Sequence, residues 1–295
     1  MYLKPHGILP AMITPLDENG KVNLPVLRKL IDHLIAGGVH GIFAIGTTGE
    51  FYALSNTDYR EILEVTVDEV AGRVPVYAGA NAITTKDSIE LAQIAQSAGV
   101  DALSVLTPLF ISPSQEQVYE HFKTVAANTD LPILLYNNAP KTHVTITPQT
   151  VARLAKEKNI IGIKDSTGDL TMTGEYIRLT AGEEFSVMMG RDSMIYGALC
   201  YGATGGVAAC ANVAPKLVCD IYNRFQAGDH KGALEAQYKV TPLRIAFGLG
   251  TFPAVIKEAL QMIGIPVGNC YLPAGPLSAE EKKQLEQILK GMDLI

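Results

Sequence analysis

The sequence is poor in the residues that form disulfides and bind metal ions. It has four cysteines in 295 residues, at positions 200, 210, 219 and 270, and none of them are spaced as CxxC. They lie in apolar surroundings, where cysteine usually packs as a small, reduced hydrophobic residue. The six histidines form neither an HxH nor an HExxH pattern. We therefore expect no metal site and no disulfide framework.

Positive charge and long apolar runs are also scarce. Lys and Arg number 24 against 30 Asp and Glu, and no basic block alternates with aromatic residues, so nucleic acid is not an expected partner. Glycines interrupt the uncharged stretch between Ser193 and Pro215, which predicts a helix and a buried strand rather than a membrane span. The first 15 residues contain three prolines and no apolar core of the signal-peptide type. A cytoplasmic protein without a membrane partner is expected.

The chain does contain eight short apolar runs, separated by segments of helical period. The runs cover 7–14, 41–46, 74–80, 102–108, 132–137, 160–166, 185–190 and 202–209. Most are rich in Val and Ile and apolar on both faces, which is typical of buried parallel strands. Helical periodicity covers 24–36, 57–71, 86–98 and 115–127. This alternation predicts an α/β protein with a (β/α)₈ TIM barrel, because AMITPLDENG after the first strand is not the Gly-rich turn of a doubly wound sheet.

The chain is longer than such a barrel requires. A TIM barrel takes about 250 residues, and the C-terminal surplus shows helical period over 231–247, 253–263 and 279–291. Ser278 and Glu281 form the pattern of a capping box before the last of these segments. We therefore predict a catalytic barrel over residues 1–226 and a helical C-terminal domain over residues 227–295.

One lysine stands at the end of a run that should be buried, NIIGIK, residues 159–164. Side chains alternate along a strand, so Lys164 shares a face with Gly162, and Tyr136 shares one with Leu134 on the preceding strand. If the even positions face the barrel axis, Tyr136 and Lys164 meet at the carboxyl ends of the strands, where barrels of this type have their active sites. The turn GTTGE, residues 46–50, ends the second strand beside the same space.

These residue types suit imine chemistry. Desolvation lowers the pKa of a buried amine in general, and a free amine attacks a ketone to form an imine. The protonated imine is an electron sink beside which a carbon–carbon bond can break or form, and a tyrosine such as Tyr136 can move the protons. Thr47 and Thr48 supply hydroxyls, and the backbone N–H groups from Gly46 to Gly49 complete a cradle for a carboxylate.

Each of these residues also has a plainer interpretation from the pattern alone. Lys164 could be a rim lysine paired with Asp165, and Tyr136 a core tyrosine with one satisfied hydroxyl. The turn at 46–50 could be an ordinary strand-to-helix connection. A phosphate-binding barrel that uses the Gly-rich run GATGGVAA, residues 202–209, is a further hypothesis.

Five motifs occur in a specific order along nearly the whole chain. They are GTTGE at 46–50, YNNAP at 136–140, GIKDSTGD at 162–169, GRDS at 190–193 and ANVAP at 211–215. With them the chain resembles the family of dihydrodipicolinate synthase and N-acetylneuraminate lyase, which are pyruvate-dependent class I aldolases. The resemblance implies a small 2-oxo acid such as pyruvate as substrate, no cofactor, and a homotetramer built as a dimer of dimers.

The resemblance also implies a role for each matching residue. Lys164 corresponds to the Schiff-base lysine, Tyr136 to the proton-relaying tyrosine, and Thr47 and Thr48 to the pair that holds the substrate carboxylate. The residues implied around the rest of the substrate are Gly46, Gly49, Gly190, Asp192 and Val207.

Three positions depart from the synthase branch of the family. Phe110 stands where that branch has a tyrosine that completes a proton relay across a subunit interface. Lys141 stands where it has the arginine that grips the semialdehyde carboxylate, and lysine lacks the bidentate fork. His143 replaces a small residue. With Lys141, His143 and Phe110 near the substrate, these departures favour a lyase acting on a 2-keto-3-deoxy sugar acid or a related 2-oxo acid.

Other activities of the family stay open. One is 4-hydroxy-tetrahydrodipicolinate synthase, which acts on pyruvate and aspartate semialdehyde. A dehydratase or deaminase that uses the same imine is another. The last is a non-catalytic homologue that only binds a 2-oxo acid.

Overall fold

The protein is built around eight parallel strands. The computed structural model describes residues 3–295, and its strands are β1 (Gly7–Pro10), β2 (Ile42–Ala44), β3 (Val76–Gly79), β4 (Ala102–Leu106), β5 (Ile133–Asn137), β6 (Ile160–Asp165), β7 (Ser186–Met189) and β8 (Gly205–Ala208). Their hydrogen-bonded order is β1-β8-β7-β6-β5-β4-β3-β2. A parallel bridge between Ala11 and Phe43 brings β1 beside β2, so the ring nearly closes. The predicted TIM barrel is confirmed.

Helices alternate with the strands and continue after the last one. They are α1 (Leu24–Ala36), α2 (Asn56–Val70), α3 (Thr85–Ala98), α4 (Gln115–Ala126), α5 (Ala139–Thr142), α6 (Pro148–Leu154), α7 (Leu170–Leu179), α8 (Ile195–Tyr201), α9 (Pro215–Gln226), α10 (His230–Ala246), α11 (Ala254–Met262) and α12 (Ala279–Gly291). Ser278 and Glu281 form the predicted capping box of α12. Within residues 3–295, no helix is both long and apolar enough to cross a bilayer.

Two layers of apolar side chains form the core. The barrel interior is filled by Leu9, Ala11, Phe43, Tyr77, Ala102, Leu134, Met188 and Val207. A larger shell, which includes Ile163, lies between the sheet and the helices. Leu134 therefore faces the axis while Ile163 faces outward, and the predicted alternation is confirmed. The register of β5 and β6 pairs Tyr136 with Lys164.

The C-terminal helices pack against the outside of the barrel. The helix α10 lies along α9 and also contacts α8, and α12 packs on α10 and α11. The end of α10 and the turn that follows it carry Arg244, Phe247 and Gly248 to the cavity at the carboxyl ends of the strands. The predicted boundary at residue 226 falls between α9 and α10. The division into two domains remains a prediction.

Candidate active site

A cavity of about 300 Å³ opens at the carboxyl ends of the strands. Its inner part is lined by Ala11, Thr47, Thr48, Tyr136, Lys164 and Val207. Its outer part is lined by Lys141, Gly190, Arg191, Asp192, Arg244 and Phe252, among others. Residues from β5, β6 and β8 and from the loops after β1, β2 and β7 therefore meet in one space. The sequence predicts the catalytic residues at this end of the barrel.

Lys164 is buried and lies against aromatic rings. Its Nζ is 3.9 Å from the centroid of the Tyr136 ring and 4.6 Å from the centroid of the Phe43 ring. The neighbouring Asp165 points to the opposite face, where its carboxylate accepts hydrogen bonds from the Thr167 hydroxyl at 2.9 Å and the Thr173 hydroxyl at 2.7 Å. A rim pair between Lys164 and Asp165 therefore does not form.

The Tyr136 hydroxyl has hydrogen-bond partners on both sides. It lies 3.3 Å from the Thr47 hydroxyl and accepts a bond from Asn138 Nδ2 at 3.0 Å. Burial acts to raise the pKa of Tyr136. The charge of Lys164 and hydrogen bonds from Thr47 and other neighbours outweigh burial, so the pKa of Tyr136 lies below its ordinary value. A lower pKa favours the exchange of a proton by a phenol in general.

The turn at residues 46–50 has a fixed and unusual shape. Glu50 has a φ of 56°, in the left-handed region, and its side chain is fully buried. A Cβ on Gly46 would stand 2.3 Å from the Phe43 ring, and one on Gly49 would stand 3.0 Å from the Met12 carbonyl oxygen. Gly46 and Gly49 therefore shape the turn through their lack of a side chain, and they do not themselves line the cavity.

A buried ion pair supports this turn from the C-terminal region. Lys257 Nζ on α11 lies 2.6 Å from Glu50 Oε1, and the Tyr271 N–H donates to Glu50 Oε2 at 2.8 Å. Lys257 also donates to the Asn269 carbonyl at 2.8 Å. The sequence analysis missed this pair because its members are far apart in the chain. The signal that could have found it is a lysine inside the apolar run PAVIKEAL.

The outer part of the cavity is charged. Asp192 accepts a hydrogen bond from the Cys210 N–H at 2.7 Å, and its other oxygen lies 3.6 Å from Arg244 Nε. Burial raises the pKa of Asp192, against the opposing effects of the Cys210 bond and of Arg244. Arg191 and Arg244 were not predicted. Arg191 lies inside the GRDS motif, whereas no motif contained Arg244.

Two predicted residues lie away from the cavity of this single chain. Phe110, in the loop after β4, is 91% exposed and has a φ of 71°. His143 follows α5 on the surface with a φ of 58°. Neither lines the cavity, whereas Lys141 does. Across residues 3–295, no three His, Cys, Asp or Glu side chains are grouped so that they could hold a metal ion.

Comparisons with known proteins agree over the whole chain. The sequence profile described as "Dihydrodipicolinate synthetase family" matches residues 4–292. A 4-hydroxy-tetrahydrodipicolinate synthase of Methanothrix thermoacetophila is 38% identical over 286 residues, covering 97% of this chain and 96% of that protein. Dihydrodipicolinate synthase DapA-2 of Bacillus anthracis has a crystal structure with a TM-score of 0.94 at 36% identity, covering 98% of this chain and 99% of that one.

A third relative has been solved with a bound 2-oxo acid. YagE, an Escherichia coli K12 prophage protein of the dihydrodipicolinic acid synthase family in complex with pyruvate, has a TM-score of 0.95 at 33% identity, covering 98% of this chain and 99% of that one. The names of the first two relatives agree with the synthase alternative better than with the sugar-acid interpretation.

Proposed function

The chain belongs to the dihydrodipicolinate synthetase family, whose members are lyases of the class I aldolase type, and on this premise we propose that it joins pyruvate to an aldehyde through an imine on Lys164. The observation that carries the proposal is the buried Lys164 amine, held 3.9 Å from the Tyr136 ring centroid at the carboxyl ends of β5 and β6. A buried amine beside a phenol is what imine formation and proton transfer require.

The proposed reaction balances with the residues present. Lys164 Nζ attacks C2 of pyruvate, and the ketone oxygen leaves as water to give the imine. Loss of a proton from C3 gives an enamine, and C3 then attacks the aldehyde carbon to form the new carbon–carbon bond. The aldehyde oxygen takes a proton and becomes a hydroxyl. Water, or an amine of the product itself, displaces Lys164 from C2 and restores the enzyme.

Tyr136 and the turn at residues 46–50, called the hydroxyl turn below because it carries Thr47 and Thr48, divide the remaining tasks. Tyr136 accepts and returns protons, which its lowered pKa supports. Thr47 lies 3.3 Å from the phenol oxygen and keeps it in place. Thr48 and the backbone N–H groups of the turn hold the pyruvate carboxylate.

For the second substrate we propose aspartate semialdehyde, which makes the protein a 4-hydroxy-tetrahydrodipicolinate synthase. The names of relatives at 38% and 35% identity support this choice. Cleavage of a 2-keto-3-deoxy sugar acid is the second candidate, supported by Phe110 and Lys141 in place of the tyrosine and arginine of the synthase branch. The dimer-of-dimers assembly and the cytoplasmic location remain predictions.

Borohydride reduction in the presence of pyruvate, followed by peptide mass mapping, tests the imine. We expect a stable adduct on Lys164 in the native protein and none in Lys164→Met. Folded protein that gives no adduct, beside a control aldolase that does, would contradict the mechanism. Turnover of pyruvate with aspartate semialdehyde, compared with cleavage of a panel of 2-keto-3-deoxy sugar acids, then decides between the two candidate substrates.

A further inference from the structure

The cavity carries more positive charge than the pyruvate half of the reaction uses. The cationic residues that line it are Lys141, Lys164, Arg191 and Arg244. The lining contains one carboxylate, that of Asp192. In the proposed reaction Lys164 forms the imine and the hydroxyl turn holds the pyruvate carboxylate. The outer cations are then left for the second substrate, because like charges that share a cavity repel one another unless an anion balances them.

Arg191 is held in place by neutral groups. Its Nε donates to the Ser166 carbonyl at 3.1 Å and its Nη2 lies 3.5 Å from the Thr167 carbonyl. Both acceptors follow the end of β6, directly beyond Lys164. Within residues 3–295, no carboxylate lies within ion-pair distance of this guanidinium. Burial is the main effect that lowers the pKa of Arg191, and the positive charge of Arg244 lowers it further. The two arginines therefore lie close enough to repel each other.

Arg244 is only partly neutralised. Its Nε is 3.6 Å from Asp192 Oδ2, beyond a good hydrogen bond. The other oxygen of that carboxylate is occupied by the Cys210 N–H. The guanidinium lies over the Phe247 ring, with Cζ 5.1 Å from the ring centroid. Contact with an aromatic ring leaves the donors of a guanidinium available to a ligand.

We propose that Arg191 and Arg244 form a subsite for a second acidic group, carried by the aldehyde that reacts with the pyruvate enamine. The inference rests on the proposed function, because it takes the pyruvate end as occupied by Lys164 and the hydroxyl turn. Two guanidinium groups supply the forked donors that carboxylates and phosphates prefer. They also make up for Lys141, which keeps a positive charge at the cavity but lacks the fork. A neutral polyol tail would leave Arg191 without an anionic partner and Arg244 only partly neutralised.

Two 2-oxo acids of equal chain length test the subsite without knowledge of the natural aldehyde. 2-Oxoglutarate and 2-oxopentanoate both present a ketone to Lys164, and they differ by a terminal carboxylate in place of a methyl group. The measurement is the concentration of each that gives half-maximal borohydride adduct on Lys164. We expect the native protein to favour 2-oxoglutarate by about 10-fold, the size of a charge-assisted hydrogen bond.

The arginine variants should abolish this preference and still form the pyruvate adduct on Lys164. Arg191→Met is the cleaner variant because its hydrogen-bond partners are backbone carbonyls. Arg244→Met removes the cation beside Asp192, so Arg244→Lys accompanies it as a variant that keeps the charge. Arg178→Met on α7, an exposed arginine paired with Glu175, is the matched control for loss of one positive charge. Thermal unfolding verifies that each variant is folded.

The two possible failures are distinguishable. Adducts that form equally well with both probes, or a preference that survives in Arg191→Met and Arg244→Met, would overturn the subsite and leave the imine mechanism standing. No adduct with pyruvate or with either probe would overturn the proposed function and the subsite with it.

A comparison of kcat/KM for three aldehydes identifies the chemical class of the acidic group. Aspartate semialdehyde carries a carboxylate, glyceraldehyde 3-phosphate carries a phosphate, and glyceraldehyde is neutral. We expect Arg191→Met to lower kcat/KM about 10- to 100-fold for whichever acidic aldehyde the native enzyme prefers, and less than about threefold for glyceraldehyde. An equal loss on glyceraldehyde would contradict the subsite.

Discussion

Lys164 lies against two ring faces rather than against a carboxylate. Its Nζ is within 5 Å of the ring centroids of Tyr136 and Phe43, at 3.9 and 4.6 Å. A cation over a desolvated ring face gains about 2 kcal/mol. A carboxylate partner would occupy the donors of the amine and block the approach of a ketone, whereas the ring faces leave one side of the amine open to the cavity. This explains why a lysine lies near the end of strand β6, after a run of apolar residues.

The Thr47 hydroxyl should set the pH at which the enzyme becomes active. Its hydrogen bond is one of the contacts that lower the pKa of Tyr136. Thr47→Val removes the bond and keeps the shape, so the pKa of Tyr136 rises and its ionised, proton-accepting form appears only at higher pH. A bond of about 1 kcal/mol corresponds to about 0.7 pH unit. We therefore expect the ascending limb of kcat/KM against pH to move upward by about that amount.

Thr48→Val is the matched control for this measurement. It removes the neighbouring hydroxyl and leaves the contacts of the phenol with Thr47 and Asn138 intact. We expect Thr48→Val to raise KM for pyruvate without shifting the ascending limb of kcat/KM against pH. A Thr47→Val profile that falls in height and keeps its position on the pH axis would show that Thr47 acts on the substrate carboxylate and not on the tyrosine.

Among the helices, α11 acts on the site from a distance through the Lys257–Glu50 pair. Both side chains are buried, and Glu50 is the last residue of the hydroxyl turn, so the pair links this turn to α11. Removal of one member of a buried pair leaves the other charge uncompensated, at a cost of about 3–5 kcal/mol. We therefore expect Lys257→Met to lower the free energy of unfolding by that amount, measured with denaturant, and to raise KM for pyruvate because the turn shifts.

Lys282→Met provides the control, since Lys282 on α12 pairs with Glu258 of α11 at 2.9 Å but lies at the surface. Its loss should cost no more than about 1 kcal/mol. The double variant Glu50→Gln with Lys257→Met should recover part of the lost stability, because no buried charge then remains unpaired. Equal, small losses in Lys257→Met and Lys282→Met would mean that the buried pair does not support the turn.

The elements show what local sequence encodes and what it does not. Helices α1 and α12 begin and end where periodicity and the Ser278 capping box predict. The strands are shorter than the apolar runs, because residues after the strands, such as Met12 and Ile45, are buried in the loops at the top of the barrel. Alternation along a strand predicted that Tyr136 and Lys164 meet. Nothing local predicted Arg244 or Lys257, because tertiary packing of the C-terminal helices brings them to the barrel.

At the scale of the whole molecule, net charge and site charge have opposite signs. The chain carries a net charge of -6, yet four cations line the cavity. A cleft of one sign concentrates field lines and draws in ligands of the opposite charge. A net charge far from zero favours solubility in general, and the positive charge of the cavity suits the carboxylate substrates proposed above. Composition excludes nucleic acid as an expected partner, and only the arrangement of residues in the fold brings the four cations together in one cavity.

The stability of the whole fold should depend on His121 at acidic pH. His121 on α4 is buried, and its Nδ1 lies 2.9 Å from the Thr85 hydroxyl at the start of α3. Burial lowers the pKa of His121 from 6.5 to about 4. Between these two values the unfolded chain binds a proton that the native protein does not, so stability is complete above pH 6.5 and falls as the pH drops toward 4. The full loss is about 3 kcal/mol.

The test compares the free energy of unfolding across this range in the native protein and in His121→Gln, which retains a polar group for Thr85 but does not titrate. We expect the variant to start from lower stability near neutral pH, because the ring packs against Phe122, and to lose about 3 kcal/mol less on acidification. His230→Gln, at an exposed histidine that begins α10, is the surface control for loss of one histidine. Identical slopes in all three proteins would show that acid acts through other groups. A flatter slope confined to His121→Gln would identify the contact between α3 and α4 as the acid-sensitive element of the barrel.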